Sequence, residues 1–72
     1  MSAATKALQY EVTYKGKDCG GRFFCSTFQE ADHYARERCA TEYRVLVNGS
    51  TVLFATRPDC RYNFVKALGG AL

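Results

Sequence analysis

The chain has 72 residues, of which 47% are apolar, 14% aromatic and 24% charged, with one proline and a formal net charge of +3. This composition is that of a globular rather than a disordered chain and fits one domain spanning residues 1–72. A chain this short buries only about 60% of its unfolded surface, so the core is thin and a homodimer is an open arrangement.

Positive charge is scattered rather than gathered into a nucleic-acid-binding arm. Lys15, Lys17 and Arg22 flank one loop, Arg36 and Arg38 share a helix, and Arg57 and Arg61 bracket Pro58. No stretch approaches the ~18 apolar residues of a membrane span, and no apolar signal segment follows Met1–Lys6. The expected location is the cytoplasm, where the four cysteines remain thiols.

Residues 1–6 are small and polar and are expected to fray. Leu8, Tyr10, Val12 and Tyr14 then alternate with Gln9, Glu11, Thr13 and Lys15, the period of a strand with one apolar face. Gly16-Lys17-Asp18-Cys19-Gly20-Gly21 must turn, and Arg22 to Cys25 pairs back antiparallel. Thr27-x-x-Glu30 is a capping box that starts a helix, with Phe28, Ala31, Ala35 and Cys39 on its apolar stripe and Thr41-Glu42 at its end. Gln29, His33, Arg36 and Glu37 lie away from that stripe.

Asn48-Gly49 is the favoured pair of a two-residue hairpin turn, because both central residues need positive φ. A regular ladder then sets Val47 opposite Ser50, Val45 opposite Val52 and Tyr43 opposite Phe54. Those six positions other than Ser50 face the helix, while Arg44, Leu46, Thr51 and Leu53 share the other side. Pro58 stops the last strand, and Asp59 caps a short helix from Cys60 to Leu68 that ends at Gly69-Gly70. The expected fold is α+β, ββαββα: a four-stranded antiparallel sheet with both helices on one face.

Chemistry has little foothold in this pattern. Cys19 and Cys25 are separated by five residues and Cys39 and Cys60 follow at long intervals, unlike the close pairs of structural zinc. Cys25, Cys39 and Cys60 read as small buried hydrophobes, and Cys19, in its loop, as the accessible thiol. His33 is alone on the outer helix face, and Asp32, Glu30 and Glu37 read as solvated carboxylates, so neither a Cys-His nucleophile nor a carboxylate pair is built. Binding without catalysis and without a cofactor is what remains.

The candidate surface is the side of the sheet opposite the helices. Arg44, Leu46 and Leu53 are its anchors, helped by Lys15, Lys17 and Arg22 of the basic loop. Nucleic acid is the rival partner, but Tyr10 and Tyr14 fall on the helix side, leaving no aromatic on the open side for base stacking.

Tyr10-Glu11-Val12, the helix start Ser26-Thr27-Phe28-Gln29-Glu30-Ala31, the strand Tyr43-Arg44-Val45 and the hairpin through Phe54 follow one another in an order that resembles very small bacteriophage proteins that disable a host machine. The helix and the aromatic-x-Val strand are similar to those of short podovirus inhibitors of bacterial RNA polymerase. The early Tyr-Glu-Val and the late hairpin are similar to those of anti-CRISPR proteins that block a type I surveillance complex. The likeness is a pattern of elements over residues 8–56. It implies a phage-encoded inhibitor, acting in the host cell cytoplasm, that docks onto a bacterial protein or ribonucleoprotein complex. The polymerase inhibitors carry arginines late in the strand after the helix, where this chain has Val47 and Gly49, so no functional residue carries over.

Overall fold

The computed structural model describes residues 9–68. The expected fraying of residues 1–6, the expected place of Leu8 in the first strand and the expected stop at Gly69-Gly70 lie outside the described residues.

The alternating stretch forms β1 (Tyr10–Lys15), which pairs antiparallel with β2 (Gly20–Cys25), Tyr10 opposite Cys25 and Lys15 opposite Gly20. The intervening turn closes through the Gly16 amide, which donates to the Cys19 carbonyl at 2.8 Å. Gly16 is required for space: a Cβ there would lie 2.8 Å from the Cys39 oxygen and 2.9 Å from Cys19 Sγ.

Helix α1 (Phe28–Glu37) begins at the capping box. The Glu30 amide donates to Thr27 Oγ1 at 3.0 Å, and the Glu30 carboxylate accepts from the Ser26 amide, one residue before the cap, at 2.9 Å. The helix stops earlier than its apolar stripe suggests. Cys39 N–H donates to the Arg36 carbonyl and Ala40 N–H to the Ala35 carbonyl, the paired bonds of a Schellman ending. Ala35 and Ala40, which such an ending sets in contact, are both fully buried. Cys39 takes the left-handed position at φ 54°, so its side chain leaves the stripe and is exposed.

Strands β3 (Glu42–Val47) and β4 (Ser50–Thr56) form the hairpin, with Asn48 at φ 52° and Gly49 at φ 83°. Val47 stands opposite Ser50 as the turn dictates. Beyond Leu46 and Thr51 the register shifts, and Val45 pairs with Leu53 rather than with Val52. Val52 is the extra residue of a β-bulge. Past the bulge every β4 side chain changes side: Leu53 and Ala55 enter the core, and Phe54 faces outward opposite Arg44.

The segment after Pro58 is not a helix. Residues 58–62 turn, and β5 (Val65–Leu68) adds to the edge of β4, making five strands in the order β2-β1-β3-β4-β5. The reason is Arg57, 5% exposed, which gathers the loop around its guanidinium. Its Nε donates to the Ala40 carbonyl at 2.8 Å, and one terminal nitrogen donates to the carbonyls of Cys60 and Tyr62 at 3.0 and 3.1 Å. Carbonyls that point back to Arg57, which precedes them in the chain, face away from the later amides that a helix would offer them. Phe64 is thereby delivered to the core, edge-on to Tyr43 at 4.8 Å and under Arg57 at 4.3 Å. The architecture is α+β: one antiparallel sheet with one helix on one face, its core formed by Val12, Cys25, Ala31, Ala35, Tyr43, Val45, Leu53, Ala55 and Phe64 with Ala40.

Asp32 belongs to this covered side and is not a solvated carboxylate. Its side chain is 16% exposed and accepts from Arg36 Nε at 2.7 Å and from the Tyr43 hydroxyl at 3.2 Å, with Lys66 Nζ at 3.4 Å. Burial acts to raise its pKa, but the Arg36 bond, the Lys66 and Arg36 charges and the Tyr43 hydroxyl together hold it below the ordinary value. Burial, and then the Asp32 charge, push the Tyr43 phenol up.

Candidate functional site

With the helix on one face, the other face of the sheet is bare among the described residues. Strand alternation and the observed registers arrange it in three rows across the strands. One row runs Phe24, Glu11, Leu46, Thr51; the next runs Arg22, Thr13, Arg44, Phe54, Ala67; the third runs Gly20, Lys15, Glu42, Thr56, Val65.

Arg44 stands at the centre of this surface. It is exposed, takes part in no ion pair among the described residues, and places its guanidinium 5.1 Å from the centre of the Phe54 ring. Arg22 pairs with Glu11 at 3.2 Å. A shallow groove of about 290 Å³ runs beside Arg44, lined by Thr13, Tyr14, Lys15 and Glu42. Phe24 is 54% exposed at one edge and Val65 71% exposed at the other.

Of the anticipated binding residues, Arg44, Leu46, Lys15 and Arg22 share this face, with Leu46 half-buried. Leu53 does not. It is 4% exposed in the core, because the bulge at Val52 turns it inward. Lys17 lies apart as well, in the turn after β1, where it lines a cleft at the end of the sheet.

Two aromatics take the places that sequence reasoning left empty. Phe24 was legible: once Cys25 is assigned to the core, alternation turns Phe23 in with it and Phe24 out. Phe54 was not, since Val52-Leu53-Phe54-Ala55 is an unbroken apolar run with no alternation to reveal a bulge. The open face therefore does carry aromatic side chains, contrary to the reading that set nucleic acid aside.

The cysteines divide differently from expectation. Only Cys25 is buried, where desolvation raises its pKa and keeps it a thiol. Cys19, Cys39 and Cys60 are exposed and line the end cleft together with Lys17, Arg38 and Arg57. Among the described residues no three His, Cys, Asp or Glu side chains are placed to hold a metal ion. His33 is exposed, pairs with Glu37 at 3.3 Å and is not among the residues that line the thiol cleft. No described helix is long and apolar enough to cross a membrane.

Comparison of the chain with family models, with curated proteins and with solved structures finds no match.

Proposed function

We propose that this protein is a non-catalytic binding domain whose open sheet face docks onto a bacterial protein or ribonucleoprotein complex and blocks it, in the manner of the small phage inhibitors its element order resembles. The observation that carries this reading is the make-up of that face. An arginine with no ion-pair partner among the described residues lies on a phenylalanine at the centre, further apolar side chains stand at Phe24, Leu46 and Val65, and threonines and charged side chains of both signs fill most of the rest. Arginine and aromatic anchors amid polar neighbours are what protein interfaces concentrate. Its charges, Lys15, Arg22 and Arg44 against Glu11 and Glu42, nearly balance, which suits a protein surface better than a phosphate chain. No cofactor is needed for such docking.

A specific observation favours a second reading. Phe24 and Phe54 stand on an exposed sheet flanked by arginines, the ingredients of a platform on which single-stranded nucleic acid stacks.

Affinity capture from bacterial lysate separates the two. The tagged chain and an Arg44→Glu/Phe24→Ser variant are compared with and without nuclease. A stoichiometric protein complex that resists nuclease and is lost in the variant supports docking. Capture that vanishes with nuclease moves the function to nucleic acid, and capture unchanged in the folded variant removes the open face from either role.

A further inference from the structure

Two features of the fold bring Cys39 and Cys60 together at the cleft. The Schellman ending of α1 turns Cys39 out of the helix, and the loop wrapped on Arg57 presents Cys60 beside it. Cys60 Sγ lies 3.3 Å from the Cys39 carbonyl oxygen, to which it donates, and both residues are exposed. Interaction with the Cys39 side chain is the first of the influences that raise the Cys60 pKa, as expected for two thiols side by side.

Cys39 is also an unusual residue for its backbone. At φ 54° the position after a helix end favours glycine or asparagine, because an L side chain there crowds the following carbonyl. Packing does not account for it, since the side chain is exposed. A strained residue in a cleft, next to a second thiol, points to chemistry rather than to architecture.

We propose that Cys39 and Cys60 form a modification site, a dithiol that a low-molecular-weight disulfide such as oxidised glutathione converts to an intramolecular disulfide. One thiol loses its proton and attacks a sulfur of the oxidant, whose S–S bond breaks and releases one glutathione. The second thiol, deprotonated in turn, attacks the protein sulfur of the mixed disulfide, forming the Cys39–Cys60 bond and releasing the second glutathione. The protein gives up two hydrogens, and the oxidant becomes two thiols. The new bond ties the end of α1 to the β4–β5 loop. Cys19, whose thiol donates to the Arg38 carbonyl at 3.3 Å, is the competitor within the same cleft.

The test incubates the full chain in glutathione redox buffers and reads non-reduced intact mass, peptide maps and Tm. The native chain and Cys19→Ser are expected to lose two hydrogens, to show one Cys39–Cys60 cross-link and to gain roughly 10 °C in Tm. Cys60→Ser and Cys39→Gly lose the cross-link. Cys39→Gly is chosen because glycine suits the left-handed position, so the variant folds. A cross-link to Cys19, a glutathione adduct that persists on the native chain, or equal cross-linking in strong denaturant would each overturn the assignment.

Discussion

Arg57 and Arg44 each lie over a phenylalanine ring, at 4.3 Å from Phe64 and 5.1 Å from Phe54, yet they do opposite things. Arg57 is buried, with three backbone carbonyls bound and one terminal nitrogen left without a partner among the described residues. Arg44 is exposed on the bare face, lies over the Phe54 ring and makes no ion pair among the described residues. The first holds a loop, an added strand and Phe64 in place; the second is free to meet something else. An arginine on an aromatic ring is thus neither a structural nor a binding feature by itself. Its role follows from whether the remaining donors are spent inside the molecule.

Substitution should break the comparison open. Arg57→Ala leaves the Ala40, Cys60 and Tyr62 carbonyls without their donor and uncovers Phe64, a loss of about 3 kcal/mol or more. A domain of this size has little more than that in reserve, so the variant should be largely unfolded in chemical denaturation. Arg44→Ala, by contrast, should lie within about 0.5 kcal/mol of the native chain. Similar losses at both positions would mean that the open face is structural after all.

The bulge gives a second contrast, between two leucines of neighbouring strands. Leu53→Ala should cost about 2–4 kcal/mol, because it empties a core position, and Leu46→Ala about 1 kcal/mol or less. A regular hairpin register would set both leucines on the open face and make the two losses similarly small, so the pair of denaturation midpoints reads out whether Leu53 faces the core.

Acid provides the finest test. Asp32 is held below its ordinary pKa in the folded chain, so its contribution is fully present above about pH 4, the unfolded value, and is lost as pH falls through the folded value. Asp32→Asn should cost about 1 kcal/mol at neutral pH and give a flatter stability profile below pH ~4 than the native chain. Parallel acid profiles would show that the Arg36, Lys66 and Tyr43 contacts contribute nothing to folding.

Much of the fold was legible in the residues. The alternation of Tyr10, Val12 and Tyr14 is that of an observed strand, Thr27 and Glu30 do cap the helix, and Asn48-Gly49 does turn with both φ positive. Arg44 on the face away from the helix was also within reach, since it lies between Tyr43 and Val45, which are buried. The signals in these places are local: a period, a cap, a turn pair. The segment after Pro58 was misread for a matching reason. Asp59 and the apolar residues after it satisfy the local rules for a short helix, and nothing nearby in sequence announces that Arg57 will take the carbonyls of Cys60 and Tyr62.

By itself, then, the sequence determined the α+β class, the first two strands, the helix start and the hairpin turn, because each rests on interactions among residues a few positions apart. Tertiary structure alone decided the bulge that exchanges Leu53 for Phe54, the helix ending that turns Cys39 outward, and the fifth strand built on Arg57. In each of these the local preference was weak or contrary. The outcome went to whichever arrangement buried Leu53 and Phe64 and met the buried carbonyls with donors.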